Sequence, residues 1–315
     1  MSLNLHICSA ILCSLILCLT IALGLAGNLA VFLVFKRSWR LRTWENAFHL
    51  NIAAINLFMC VLQAPAILFL LWDDNVTSNV YQAMCTFSQA GLLGLLGILV
   101  SHSQISILRC IKVYNPCHMP KKRLIICALI IPWIAGLIIT VQMYVTETGI
   151  LFVDTCSYTH LVKDTSVFYT MIIVLLTSCT VLVMSYGMIF VKLRKERRVI
   201  SSTKVFTIAQ PLFLNHVNKD CTVQSMTFGT ATIRHLVVSS ATLLVTFLAT
   251  ALPPVITLIM FQRMELSYSF TAVIYCATYI AYFLSPLIYS FRNREFKRTL
   301  WNMLRRSNKV HVWNS

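Results

Sequence analysis

The chain has 315 residues, of which 58% are hydrophobic and 11% are charged, and its mean hydropathy is +0.76. Soluble domains carry about 25% charged residues, so this composition excludes an ordinary soluble protein and indicates a membrane protein. The formal net charge of +16 would suit a nucleic-acid-binding protein, but the placement of the charges, described below, argues against that class.

Seven apolar stretches follow one another along the chain, each close to the roughly 20 residues that cross a bilayer. They occupy residues 8–35, 47–72, 83–110, 124–146, 166–191, 235–261 and 269–290. We interpret the first as a transmembrane helix rather than a signal peptide, because no basic residue precedes it and the run is too long. The sequence therefore predicts an all-α membrane protein, a seven-helix bundle without a soluble domain.

The seventh stretch ends in a proline-containing segment that runs into a basic amphipathic one. Pro286 removes one backbone hydrogen bond and kinks the helix, which neighbouring helices in a membrane bundle can compensate. Over residues 292–304 apolar side chains then recur at helical spacing among basic ones, which is typical of a helix on an anionic membrane surface. We predict a short eighth helix there and a short cytoplasmic tail over 301–315; the anchoring side chains are Phe296, Leu300, Trp301 and Leu304.

The basic residues lie almost entirely on one side of the predicted bundle. Apart from Lys163 and Arg263, every Lys and Arg falls at Arg109 or in the segments 36–46, 111–123, 192–234 and 291–315. The positive-inside rule places those segments in the cytoplasm and the N-terminus outside the cell. We therefore expect a multi-pass plasma-membrane protein with a cytoplasmic C-terminus, in contact with the anionic inner leaflet and not with nucleic acid.

Two features of the outer loops agree with this orientation. Asn75-Val76-Thr77 is the chain's N-glycosylation motif and lies in an outer loop. Cys85 and Cys156 are the two cysteines at outer ends or loops, where a disulfide can form and persist. We expect Asn75 to be glycosylated and the two cysteines to pair; two free thiols are the alternative.

Short motifs occur in a fixed order along the seven stretches. They are Gly27-Asn28 in the first, Leu50 to Leu57 with Asn56 and then Pro65 in the second, Leu108-Arg109-Cys110 followed by Pro116 after the third, Trp133 in the fourth, Tyr186 in the fifth, Phe247 to Pro253 in the sixth and Ser285-Pro286-Leu287-Ile288-Tyr289 in the seventh. In this order they resemble the motifs of class A (rhodopsin-like) G-protein-coupled receptors. The resemblance covers residues 1–300 and is that of an atypical, orphan-like member.

The resemblance implies a receptor that transmits an extracellular signal to heterotrimeric G proteins. It assigns the conformational switch and G-protein coupling to six positions, Arg109, Tyr186, Phe247, Pro253, Pro286 and Tyr289. Of these, Arg109, Tyr186 and Tyr289 are expected to face one cytoplasmic cavity. No catalytic residue, cofactor or metal site is implied, and the chain has no GxSG-like element, HExxH motif or Cys/His metal spacing.

Several family positions carry different chemistry in this chain. The family's sodium site is represented by Asn56, Ile98 and Ser285, which lack a carboxylate, so we expect no high-affinity sodium site. Leu108 replaces the acid that normally pairs with the neighbouring arginine. We expect Arg109 to face the cytoplasmic cavity, with either raised basal activity or a weakened switch; anchoring at the lipid headgroups is the alternative.

The resemblance also places a ligand pocket between the outer halves of the helices. Its candidate lining residues are Gly91, Leu92, Leu95, Thr170, Val255, Leu258, Tyr275 and Tyr279. Ala251 replaces the family's tryptophan at the pocket floor, which deepens it. Because this lining is apolar with a few hydroxyls, the expected ligand is small and neutral or lipid-like. The segment from Cys85 to Arg109 is one residue shorter than the family pattern, so the outer third helix has two possible registers.

Two further features of the third stretch admit two interpretations each. Gly91, Gly94 and Gly97 recur every three residues, which is typical of close helix packing, with ligand access as the alternative. His102 is expected to be a hydrogen-bonded residue between helices, with proton sensing as the alternative.

Other functional classes fit the sequence less well. A transporter or channel would show repeats and intramembrane charges, whereas His49 and His102 are the ionisable groups well inside the stretches. Two alternatives within the family remain open. One is a degenerate receptor that acts as a non-signalling binding or heteromer partner, and the other is an odorant-type chemoreceptor.

Overall fold

The computed structural model describes residues 2–72, 79–89, 91–115, 121–145, 165–206 and 276–311, together with positions 244, 245, 247, 248, 252 and 273. Throughout this part the chain is helical, without strands. The helices are α1 (Ser2–Arg37), α2 (Trp44–Phe58), α3 (Ala64–Leu70), α4 (Asn79–Gln89), α5 (Gly91–Tyr114), α6 (Lys122–Val145), α7 (Thr165–Phe206), α8 (Ile280–Arg292) and α9 (Arg294–His311). A 3₁₀ turn, Trp39–Leu41, precedes α2, and a π-helical segment, Met59–Gln63, joins α2 to α3.

Within the described residues, four helical segments are long and apolar enough to cross a membrane. They are Ile7–Arg37, Asn46–Leu70, Gly94–Tyr114 and Ile172–Lys195, and Ile280–Tyr289 is a shorter apolar helix. Their surfaces agree with a lipid environment: on α1, for example, Ile11, Leu15 and Leu19 are exposed at i, i+4 spacing. This side of α1 faces away from the other helices, which is the arrangement of a helix in an apolar solvent.

Two groups of helices build the described core. Helix α5 packs against α2, α6 and α7, and α1 packs against α2, α8 and α9. Side-chain hydrogen bonds also link helices within this core. The Trp133 indole N–H donates to Asn51 Oδ1 at 2.8 Å, and Gln104 Nε2 donates to the Ala128 carbonyl at 2.7 Å. Such side-chain bonds between membrane helices are each worth about 0.6 kcal/mol.

The π-helical segment explains how the second span accommodates its proline. Pro65 lacks a backbone N–H, and its ring would clash with the carbonyl four residues earlier in a regular α-helix. A π turn immediately before it widens the helix at that point. The segment also faces α5, because a Cβ atom on Gly94 would collide with the Met59 side chain. A Cβ on Gly97 would lie 3.0 Å from Ile55 Cδ1, so both glycines serve close helix packing.

Two described regions can be compared with the expected spans. The region expected to hold a third helix over 83–110 is described as α4 and α5, on either side of residue 90, which is outside the described residues. Helix α7 continues from the expected end at 191 to Phe206. Its added part begins with the run Lys192–Arg198, which is rich in Lys, Arg and Glu, and these residues favour helix once they are outside the membrane. Almost all of the region expected to form the sixth helix lies outside the described residues.

The contact of Gly27 with Pro286 leads to a testable expectation. A Cβ on Gly27 would lie 2.9 Å from Cγ of the rigid Pro286 ring, whereas a Cβ on Gly187 of α7 would meet nothing within 4 Å. We expect Gly27→Ala to lower the free energy of unfolding by about 1 kcal/mol, because overpacking outweighs the helix propensity that alanine adds. Gly187→Ala, which adds the same propensity without a clash, should leave stability unchanged or raise it. Unfolding of both variants in detergent micelles checks this, and equal effects would contradict it.

Candidate functional site

Tyr289 lies at the junction where the ends of α1, α2, α8 and α9 meet. Its hydroxyl donates a hydrogen bond to Asn46 Oδ1 at 3.0 Å and accepts one from Asn293 Nδ2 at 3.2 Å. The side chain is only 5% exposed. The hydroxyl therefore uses both its donor and one acceptor position inside the protein, which fixes the orientation of the ring.

Local backbone signals place the two asparagines that hold Tyr289. The side chain of Thr43 caps α2 by accepting the Asn46 N–H at 3.4 Å, and Asn46 Nδ2 donates to the Leu41 carbonyl at 2.9 Å. Asn293 has extended backbone angles between α8 and α9, and its Oδ1 accepts the Phe296 N–H at 3.1 Å. Asn and Thr are favoured at such caps because their side chains satisfy backbone N–H groups at a helix start.

Aromatic rings surround Tyr289 on several sides. Its ring centroid is 4.7 Å from that of His49, 5.3 Å from Phe296 in an edge-to-face arrangement and 6.1 Å from Phe35. Phe296 is fully buried here, so α9 is held against the bundle by its first turn. Pairs of this geometry add about 0.5–1.5 kcal/mol each to the burial of the rings.

Arg109 lies near the C-terminal end of α5. Although it is an arginine, it is only 2% exposed. Leu108 beside it packs with Phe48, Ile105 and Ile125, so the position that carries the family's acid is part of an apolar cluster.

Tyr186 on α7 connects the clusters around α5. It packs against the Leu108 cluster, against the cluster of Leu99 and Phe247, and against the cluster of Cys110 and Ile189. The contacts described for Tyr289 lie at the α1–α2–α9 junction, whereas those of Tyr186 lie between α5 and α7. A cavity shared by Arg109, Tyr186 and Tyr289 therefore stays a prediction. Pro286 is buried on α8 against Gly27, and Pro253 lies outside the described residues.

Of the three positions that correspond to a cation site, Asn56 takes part in a network of side-chain amides, whereas Ser285 and Ile98 do not. Asn56 Nδ2 donates to Asn28 Oδ1 at 3.2 Å, and Asn28 Nδ2 donates to the carbonyls of Gly24 and Tyr282 at 2.8 and 3.1 Å. Asn56 on α2 is therefore hydrogen-bonded to Asn28 on α1. Ser285 donates within its own helix to the Ala281 carbonyl at 3.0 Å, and the apolar Ile98 is buried. The expectation of no high-affinity sodium site stays a prediction that rests on this carboxylate-free set.

His102 departs from the sequence expectation. It is 2% exposed, and neither ring nitrogen has a hydrogen-bond partner in the structure. Its ring instead meets Phe247 edge to face, with centroids 6.5 Å apart. The prediction of a hydrogen-bonded histidine between helices is therefore wrong, because the side chain that meets its ring, Phe247, offers neither a donor nor an acceptor.

The candidate pocket residues are not gathered into one described cluster. Leu95 packs with Leu182 and Phe247, whereas Tyr279 packs in a separate core cluster and meets Tyr282 edge to face at 5.4 Å. Thr170 is partly buried on α7. Gly91 and Leu92 begin α5, but their side-chain surroundings are outside the described part, as are Val255, Leu258 and Tyr275. The pocket stays a prediction.

The outer-loop features are only partly within the described residues. Cys85 on α4 is disulfide-bonded. Its partner lies outside the described part of the chain, as do Cys156 and Asn75. The specific pairing and the glycosylation therefore stay predictions. Among the described residues, no group of three or more His, Cys, Asp and Glu side chains is arranged to hold a metal ion.

The chain matches no protein-family model and no curated protein.

Sequence reasoning did not find the two residues that hold Tyr289. Asn46 and Asn293 are 243 and 4 positions away from it in sequence. A signal existed for each: a Thr three residues before Asn46 and a polar residue between two helical patterns at Asn293 are both typical of helix caps.

Proposed function

We propose that the chain is a seven-helix receptor of the plasma membrane that transmits a small neutral or lipid-like signal to heterotrimeric G proteins. In this proposal α9 is the eighth, membrane-surface helix, the N-terminus is extracellular and the C-terminus cytoplasmic. The observation that carries the proposal is the burial of Arg109. An ionisable side chain inside an apolar helix bundle is expensive to keep, and such residues mark functional sites by default.

The surroundings of Arg109 support a surface where a partner docks. Beyond it α5 continues to Tyr114, whose hydroxyl donates to the Met188 carbonyl at 3.0 Å and whose ring lies 5.4 Å from Lys192 Nζ. This fastens the end of α5 to α7, which continues to Phe206. The Lys192–Arg198 part of α7 then projects beyond the apolar segment as a basic helix. A basic helix that extends past the apolar segment suits a partner with an acidic surface.

The proposal is tested by nucleotide exchange on a panel of purified G proteins. The receptor is reconstituted in lipid nanodiscs, first without ligand and then with lipid and small-molecule libraries. We expect wild-type receptor to accelerate exchange on at least one G protein and Arg109→Ala to reduce that acceleration at least tenfold. Arg109→Lys, which keeps the charge but not the planar guanidinium, should have an intermediate rate because the two cations bind oxygens differently.

Correct folding of each variant is checked by monodispersity and melting temperature. Identical background exchange by wild type and Arg109→Ala with every G protein and every library would contradict signalling. That result would favour the alternative of a non-signalling binding partner. Activation by volatile odorants, and by no lipid, would favour the odorant-type alternative.

A further inference from the structure

Two cysteines from opposite ends of the chain meet inside the bundle. Cys13 lies on α1 and Cys276 lies just before α8. Both side chains belong to one cluster of buried residues, in which the two thiols interact with each other. Both are free thiols and both are buried, with exposures of 0% and 1%. Because Cys13 and Cys276 are 263 positions apart in the sequence, the fold brings them together.

Other described cysteines lack this arrangement. Cys8, Cys18 and Cys127 are exposed on the surfaces of α1 and α6. Cys60 is buried, but it is directed to the backbone, with its sulfur 3.6 Å from the Thr20 carbonyl oxygen. Cys110 and Cys179 are free thiols that lie in other core clusters. Of the described free cysteines, Cys13 and Cys276 are thus the two that interact with each other.

The surroundings of the pair are apolar. Both cysteines belong to one core cluster, in which Leu17, Tyr279 and Tyr282 are also buried. Water-soluble oxidants and reductants partition poorly into such a site. An apolar oxidant carried by the lipid itself, an organic hydroperoxide, does not meet that barrier.

The backbone beside Cys276 can adjust while the helix below it is held. Between Cys276 and α8 the N–H groups of Tyr279, Ala281 and Tyr282 bond to carbonyls three residues earlier, at 3.1, 3.3 and 3.1 Å. This is a 3₁₀-type turn, a geometry that often marks a hinge. Lower on the same α1–α8 contact, Asn28 bonds to the Tyr282 carbonyl. Cys276 therefore lies on a 3₁₀-type turn that can change its geometry, whereas the neighbouring α1–α8 contact is held by the Asn28 hydrogen bond.

We propose that Cys13 and Cys276 form a disulfide when organic hydroperoxides arise in the surrounding membrane, which fastens α1 to the entry of α8. In the first step one thiol sulfur attacks the outer peroxide oxygen. The O–O bond breaks, an alcohol leaves with the proton, and a sulfenic acid remains. In the second step the other sulfur attacks the first, the S–O bond breaks, and water leaves with the second thiol proton. Two thiols and one hydroperoxide thus give one disulfide, one alcohol and one water.

The test uses the full chain in lipid nanodiscs, treated with cumene hydroperoxide as the probe. Free thiols are then alkylated and the linked peptides are identified by mass spectrometry. We expect a peptide pair joined through Cys13 and Cys276, lost on treatment with a phosphine reductant. Cys18→Ser, which removes an exposed cysteine of the same helix, should leave that peptide pair unchanged, and Cys276→Ser should abolish it.

A second measurement keeps the test independent of how the serine variants fold. The oxidised wild type should have a higher apparent melting temperature than the untreated wild type, in which the Cys85 disulfide is also intact, because the added bond restricts the unfolded chain. Full alkylation of both Cys13 and Cys276 after oxidant treatment would overturn the proposal. So would oxidation of each thiol separately, to sulfinic or sulfonic acid, without a linked peptide. Neither result bears on G-protein coupling, which is measured by nucleotide exchange.

Discussion

Replacement of Tyr289 by alanine is expected to lower the free energy of unfolding by about 4 kcal/mol, since truncation of a buried aromatic side chain costs about 3–5 kcal/mol. The ring fills the space between Phe35, His49 and Phe296. Its removal also takes away the acceptor of Asn293 and the donor to Asn46. Reversible unfolding in mixed detergent micelles would measure the difference.

Tyr289→Phe separates the hydroxyl from the ring. It keeps the three aromatic contacts and removes both hydrogen bonds, so we expect a loss of about 1–2 kcal/mol. The control for truncation is Phe190→Ala on α7, a phenylalanine that is 58% exposed on the bundle surface; its loss should be below about 1 kcal/mol. A Tyr289→Ala effect as small as that of Phe190→Ala would mean that the junction does not hold the helices together.

The junction shows what the sequence could predict. The spacing of Pro286, Tyr289 and Phe296 predicted a kinked helix followed by an amphipathic one, because both patterns are local and periodic. The structure has α8 and α9 at those places, with Phe296 buried. The choice of Asn46 as the partner of Tyr289 was not predictable, since it depends on how α2 and α8 pack and no single-sequence pattern encodes that packing.

The second span shows a similar division between local and tertiary information. Its length and apolarity, and the position of Pro65, were visible in the sequence. The π turn of Met59–Gln63 was not, because several local adjustments can accommodate a proline. The choice among them is made by neighbours such as Gly94, which admits the Met59 side chain. The recurrence of glycine every three residues along α5 correctly indicated that another helix packs closely there.

His102 is the place where sequence reasoning about the site failed, and the reason is physical. A buried histidine usually finds a partner because an unpartnered polar group costs about 1–3 kcal/mol. The residue type at position 102 could not reveal that the ring meets Phe247 and finds no hydrogen-bond partner. The other contacts of the bundle offset the free energy lost at the unpartnered imidazole. A substitution that removes the imidazole should therefore stabilise the protein.

We expect His102→Leu to raise the free energy of unfolding by about 2 kcal/mol or more. A neutral imidazole has one donor and one acceptor nitrogen, and burial leaves both without a protein partner. Leucine has a similar volume and no polar atom, so it removes two unsatisfied groups, each worth about 1–3 kcal/mol. The lost edge-to-face contact with Phe247 offsets part of this gain. The apparent melting temperature and the detergent-unfolding midpoint should both increase.

Ser106→Ala is the matched control for this substitution, since Ser106 is a buried polar residue of the same helix with a satisfied hydroxyl. Its Oγ donates to the Ser103 carbonyl at 2.7 Å. Removing a satisfied hydroxyl should leave stability unchanged or lower it by up to about 1 kcal/mol. A rise for His102→Leu alone would therefore identify the unpartnered nitrogens as its cause. A fall for His102→Leu would contradict the expectation, because it would show that the imidazole is satisfied by a buried water that leucine expels.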